Sequence, residues 1–126
     1  MNTAATNRKN KRDGTAFESA VVKHVRSRGL EADRLRTSGK EDEGDIAIRD
    51  KVGVVAIVEC KAGKNIRPRY WYDEEAVPEA KKYADRRSLL EQPMPALVMK
   101  SHNKSIGKAL VTVSLDHYLD LLGGSA

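Results

Sequence analysis

Asp45-Ile46-Ala47-Ile48 and Val54-Val55-Ala56-Ile57-Val58-Glu59-Cys60-Lys61 are two apolar runs set apart by a short polar stretch that contains a glycine. Both are rich in β-branched residues and read as the two antiparallel strands of a hairpin. Lys51-Val52-Gly53 serves as a three-residue loop, with Gly53 expected in the left-handed conformation that such loops favour. That register sets Asp50 opposite Val54 and, counted outward, Asp45 opposite Glu59. Residues directly opposite in an antiparallel pair share a face, so the two carboxylates are expected side by side. Lys61, two residues beyond Glu59, joins that face, whereas Cys60 points away and reads as a core residue. Val54 to Val58 is apolar on both faces, which predicts a central strand covered by helices on each side.

On the N-terminal side, Met1 to Gly14 is polar and aperiodic, with Arg8, Lys9, Lys11 and Arg12 set against Asp13. It predicts a flexible basic arm (1–14) ahead of a single domain (15–126). Thr15 and Glu18 have capping-box spacing. Phe17, Ala20, Val21 and Val25 form an apolar stripe, and Gly29 is a C-terminal stop. Asp33 to Thr37 reads as a first strand, followed by a Ser38-Gly39 loop with Glu41, Asp42 and Glu43. Beyond the hairpin, the pattern predicts a helix over Pro78–Leu90, strands over Pro95–Lys100 and Ala109–Ser114, and a closing helix over Leu115–Leu122. The expected fold class is α/β, a mixed central sheet flanked by helices.

The length, 126 residues, suits one hydrophobic core. No apolar run approaches the ~20 residues of a membrane span, and no apolar stretch backs the N-terminal basic residues, so a cytoplasmic location is expected. Cys60 is the only cysteine, which excludes an intrachain disulfide and a cysteine zinc site. The net charge of +5 and a pI near 9.4 favour a polyanionic partner.

Asp45 and Glu59 side by side repel each other unless a cation sits between them. Magnesium takes one or two carboxylates together with waters and phosphate oxygens, acidifies a water and polarises a phosphodiester. Lys61 can position or deprotonate the attacking water while offsetting phosphate charge. Glu18 can reach in as a further ligand. Each residue also has a structural reading: Glu18 as the capping-box acid, Asp45 as a strand-start turn residue beside Gly44, and Glu59 with Lys61 as a solvated strand end. Arg67, Arg69, Tyr70, Trp71 and Tyr72 interleave basic and aromatic side chains, a pattern that suits phosphate contact and base stacking or, equally, a dimer seam. His24, His102 and His117 show no metal-ligand spacing.

Asp45 followed by Glu59-Cys60-Lys61, after a helix bearing Glu18, resembles the PD-(D/E)XK nuclease superfamily, and within it the archaeal-type Holliday junction resolvases. Arg36 and Ser38 stand where those resolvases carry an arginine and a serine. The resemblance covers roughly Thr15 to Gly63. It implies a restriction-endonuclease-like fold, a homodimer, and Mg²⁺-dependent cleavage of branched DNA in recombination and repair, with Mn²⁺ able to substitute. It further implies Glu18, Asp45, Glu59 and Lys61 as catalytic residues, with Asp45, Glu59 and Glu18 as metal ligands. Arg36, Ser38, Lys64, Arg67 and Arg69 are the expected DNA contacts. The chain departs from the pattern at Gly44, where a proline is usual, at Ser19, where a basic residue is usual, and at Glu79. Glu79 and Tyr83 keep the four-residue spacing of a glutamine–tyrosine pair in related nucleases, but a glutamate cannot donate as a glutamine does. The alternatives are a nuclease of the same chemistry acting on flap or duplex DNA, and a DNA-binding module of the same fold that does not cut.

Overall fold

A computed structural model describes residues 3–35 and 43–125. The chain begins with α1 (Thr3–Ser27), then β1 (Glu31–Arg34), β2 (Ile46–Arg49) and β3 (Val54–Lys61). A short helix α2 (Pro68–Trp71) runs through a π-turn (Tyr72–Ala76) into α3 (Val77–Arg86). β4 (Met94–Met99), a 3₁₀ turn (Ile106–Lys108), β5 (Leu110–Thr112) and α4 (Leu115–Leu121) complete the chain. The five strands form one sheet in sequence order. β1–β2, β2–β3 and β4–β5 pair antiparallel, while β3–β4 pair parallel. The expected α/β class, a mixed sheet flanked by helices, is the observed one.

β3 is central, and its alternate side chains go to opposite layers, as its two-sided apolar pattern predicts. On one face Val58 packs with Phe17, Val21 and Val22 of α1 and with Ala32, Ile46, Ala96 and Val98. On the other, Ile57 packs with Ala47, Ala80 and Tyr83, while Leu97 and Met99 pack with Tyr72 and Ala76. The parallel β3–β4 pair demands a crossover, which α2, the π-turn and α3 supply.

α1 does not start at Thr15. It is continuous from Thr3, so most of the segment expected as an irregular arm is helix. Ala4, Ala5 and the Lys and Arg residues are good helix formers, and Lys9 pairs with Asp13 at 2.7 Å one turn on. Those terms outweigh the roughly 1 kcal/mol that Gly14 costs inside a helix. The stop at Gly29 is as read: its φ is +87°, and Leu30 and Gly29 donate back to Val25 and Arg26.

β1 sits two to three residues earlier than expected, directly after that stop, with Ala32 buried opposite Ile48. The crossover helix begins ten residues before the expected Pro78, because Pro68 also suits a first turn and the π-turn carries the chain through. It ends at Arg86 rather than Leu90. Ser88 adopts φ 51°, and Leu89 and Ser88 donate to Ala84 and Asp85, so a serine closes the helix where a glycine is usual. β5 and α4 fall within the expected spans, trimmed at their ends, and β4 is shifted one residue toward the N-terminus.

The hairpin register is Ile46↔Val58, Ala47↔Ile57 and Ile48↔Ala56, as predicted. A bulge then sets Arg49, not Asp50, opposite Val54. Gly53 is not in the left-handed region. Asp50 closes the turn instead, its Oδ1 accepting from Val52 and Gly53 at 2.8 and 3.1 Å, so no positive φ is required.

Candidate functional site

Gly44 sets up the site. Its φ is +101°, and a Cβ built on it would lie 2.7 Å from Ile57 Cγ2 and 3.4 Å from the Val58 carbonyl oxygen. Proline, confined to φ near −65°, cannot take this conformation, so the departure at this position is a requirement of the local backbone. The following residue, Asp45, is held on three sides. Its N–H donates to the Val58 carbonyl at 2.9 Å, its carbonyl accepts from Leu35 at 2.8 Å, and Oδ2 accepts from the Cys60 N–H at 2.7 Å.

One step past Ile46↔Val58 lies Glu59, whose carboxyl interacts directly with that of Asp45. Glu59 is only 6% exposed, and its Oε1 has no hydrogen-bond partner. Burial, and then the neighbouring Asp45 and Glu79 carboxylates, push its pKa up to about 11. Reading Glu59 as part of a solvated strand end therefore fails. Lys61 Nζ lies 3.4 Å from Glu59 Oε2 and 2.8 Å from Glu75 Oε1, with the Trp71 ring centroid at 5.4 Å. Burial works against the Lys61 charge, but the Glu75 hydrogen bond and the Glu59 and Glu75 charges outweigh it and hold the ammonium above its usual range.

Two further acids meet Glu59. Glu75 comes from the π-turn and Glu79, itself buried, from α3. One oxygen of each of Glu59, Glu75 and Glu79 lies within 4.8 Å of the other two. Neither Asp45 nor Glu18 belongs to that set; Asp45 is joined to it through Glu59. Glu75 drew no notice in the sequence, and Glu79 drew notice only as a departure. The available signal was their four-residue spacing beside the apolar Tyr72, Ala76, Ala80 stripe, which sets both acids along one helix flank.

Compared with family models and with curated proteins, the chain matches none of them. The site is therefore read from its own geometry.

Glu18 sits on α1, over the opposite face of the sheet, with Oε1 3.3 Å from Arg34 Nη2. Because α1 extends upstream of Thr15, Glu18 is not in a first turn, and its capping-box reading is removed. Ser19 Oγ is 3.5 Å from the same guanidinium. Cys60 is half-buried against the α1 core, and burial together with the Asp45 and Glu18 charges pushes its thiol up.

Arg36 and Ser38 lie outside the described residues. Lys64, Arg67 and Arg69 are exposed around the start of α2, with Arg67 over the Tyr70 ring at 4.4 Å and Arg69 paired to Asp73 at 3.2 Å. Tyr72 does not join that patch. Its ring is core, and its hydroxyl accepts from the Ser114 N–H at 3.2 Å, so at most Tyr70 and Trp71 present aromatic surface. Glu43 is ion-paired with Arg86 and Arg87 and reads as a structural anchor to the end of α3. Among the described residues, no helix is long and apolar enough to cross a membrane.

Proposed function

We propose that this chain is a divalent-cation-dependent endonuclease that hydrolyses phosphodiester bonds in branched DNA, four-way junctions above all, and works as a homodimer. The observation that carries this reading is the pairing of half-buried Asp45 with buried Glu59, with Lys61 beside them at the end of β3. An all-oxygen donor set suits a hard cation such as Mg²⁺, with Mn²⁺ as a substitute. The buried Glu59 Oε1 without a hydrogen-bond partner is the kind of orphan atom that a cation satisfies. Asp45 and Glu59 would hold the ion. A cation there would supply Lewis acidity toward a phosphodiester and lower the pKa of an attacking water.

The chain's own residues do the rest. The Cys60 N–H fixes Asp45 Oδ2, which orients that carboxylate without a flexible partner. The Lys61 ammonium is held charged, so its part is to offset negative charge on phosphate oxygens rather than to accept a proton. Exposed Lys64, Arg67 and Arg69 flank the site and suit contacts to the DNA backbone. Arg8, Lys11 and Arg12 extend the basic surface along α1, a helix about 37 Å long.

A second copy is supported by the C-terminal elements. Leu110, Val111, Leu115, Tyr118, Leu119, Leu121 and Leu122 are all exposed on edge strand β5 and on and just after α4. α4 buries no residue against its own chain. A seven-residue helix is too short to hold itself in water, and this exposed apolar face is one that a second copy would cover.

Incubation with a synthetic four-way junction, a flap and a linear duplex in Mg²⁺ tests the function. Symmetric junction cleavage is expected, lost in Glu59→Ala. No cleavage of any of the three by the wild-type protein would end the enzymatic reading.

A further inference from the structure

The acids on the crossover helix have no part in the reading above, which uses Asp45 and Glu59 from the sheet. Yet Glu75 and Glu79 lie within 4.8 Å of Glu59 and of each other. The single ammonium of Lys61 contacts Glu59 and Glu75 and cannot neutralise three carboxylates. Four-residue spacing sets Glu75 and Glu79 one above the other on the helix flank facing β3. The π-turn that carries Glu75 is a rare form of helix that is frequent at functional sites. Glu79 is 5% exposed, so its carboxyl, like that of Glu59, is withdrawn from water, where an isolated carboxylate charge is costly. The independent mark of a missing partner is Glu59 Oε1, on a side chain more than nine-tenths buried, which has no hydrogen-bond donor of the chain within reach.

We propose that Glu75 and Glu79 are cation ligands, completing with Glu59 a three-carboxylate site for one divalent ion on the α3 side of the sheet. The proposal rests on the cation-dependent reading of the site, but assigns ligands that reading does not contain. The helix following the E-x-K strand, not the strand pair alone, then sets cation affinity.

Trp71 supplies the readout. Its indole stacks over Lys61, which touches both Glu59 and Glu75, so it is placed to sensitise terbium luminescence from an ion in this site. Tb³⁺ is titrated, without DNA, into the wild-type chain, Glu75→Gln, Glu79→Gln and Asp45→Asn, and is then displaced with Mn²⁺. Sensitised emission is expected in the wild type, with affinity lowered about tenfold or more in E75Q and in E79Q. Glu79 is buried, so far-UV circular dichroism is recorded for every variant, and E75Q, at a half-buried position, carries the test if E79Q does not fold. Wild-type affinity in both glutamine variants, with binding lost only in D45N, overturns the ligand assignment and leaves the nuclease reading standing. Weakened binding in E75Q and E79Q by a protein that cuts no DNA upholds the ligand assignment and sinks the nuclease reading.

Discussion

Gly44 and Asp45 illustrate how much of the site is settled by single residues. Gly44 takes a φ of +101° with Ile57 and the Val58 carbonyl close enough to forbid a side chain. Gly44→Ala meets both a strained backbone and a steric clash, and is expected to destabilise the protein by about 2 kcal/mol or more, read from a urea unfolding midpoint. An unchanged midpoint would mean that the approach to Asp45 is laxer than the contacts require. Asp45 was legible in the sequence because strand pairing is arithmetic: Ile46↔Val58 implies the next pair. The conformation of Gly44 was not legible, since nothing local demands a positive φ; the demand comes from Ile57 on the neighbouring strand.

At the scale of elements, the errors share a cause. Pattern reading places a helix where apolar periodicity is strong, and so starts α1 at Thr15 and the crossover helix at Pro78. Both begin earlier, one on propensity and a Lys9–Asp13 pair, the other on Pro68 and a π-turn. The second shift matters for function, because it makes Glu75 a helical residue that faces β3. The closing helix raises the opposite question. Its apolar residues predicted α4 correctly, yet none is buried by the chain itself. Leu119→Glu places a charge on that face. It is expected to convert a dimer to a monomer in analytical ultracentrifugation, while far-UV circular dichroism keeps the signal of the central sheet and α1. A wild-type protein that sediments as a monomer would remove the second copy from the proposal.

For the whole molecule, the acids at the end of β3 work against the stability of the metal-free fold. Glu59 has an ordinary pKa of 4.5 and a folded value near 11, so between them the native state holds a proton that the unfolded chain releases. The stability contribution of that proton is fully present below pH 4.5 and is lost as pH rises toward 11. Urea midpoints taken in EDTA at pH 6 and pH 9 should therefore fall more for the wild type than for Glu59→Gln, which has no such proton to lose. Burial, and then Asp45 and Glu79, drive that shift, so Mg²⁺ should recover wild-type stability at pH 9 and leave E59Q little changed. Equal pH slopes in the two proteins would show that the carboxylates are better solvated than their burial implies.

The amino-acid sequence alone determined the α/β class, the central place of β3, and the juxtaposition of Asp45, Glu59 and Lys61. These follow from short-range rules: two-residue alternation along a strand, and pair counting across a hairpin. Only the tertiary structure decided that Glu75 and Glu79 meet Glu59, that Glu18 instead pairs with Arg34, and that Tyr72 belongs to the core. Each of those facts depends on which helix covers which face of the sheet and at what rotation. Packing between distant segments sets that rotation, and local periodicity carries no record of it.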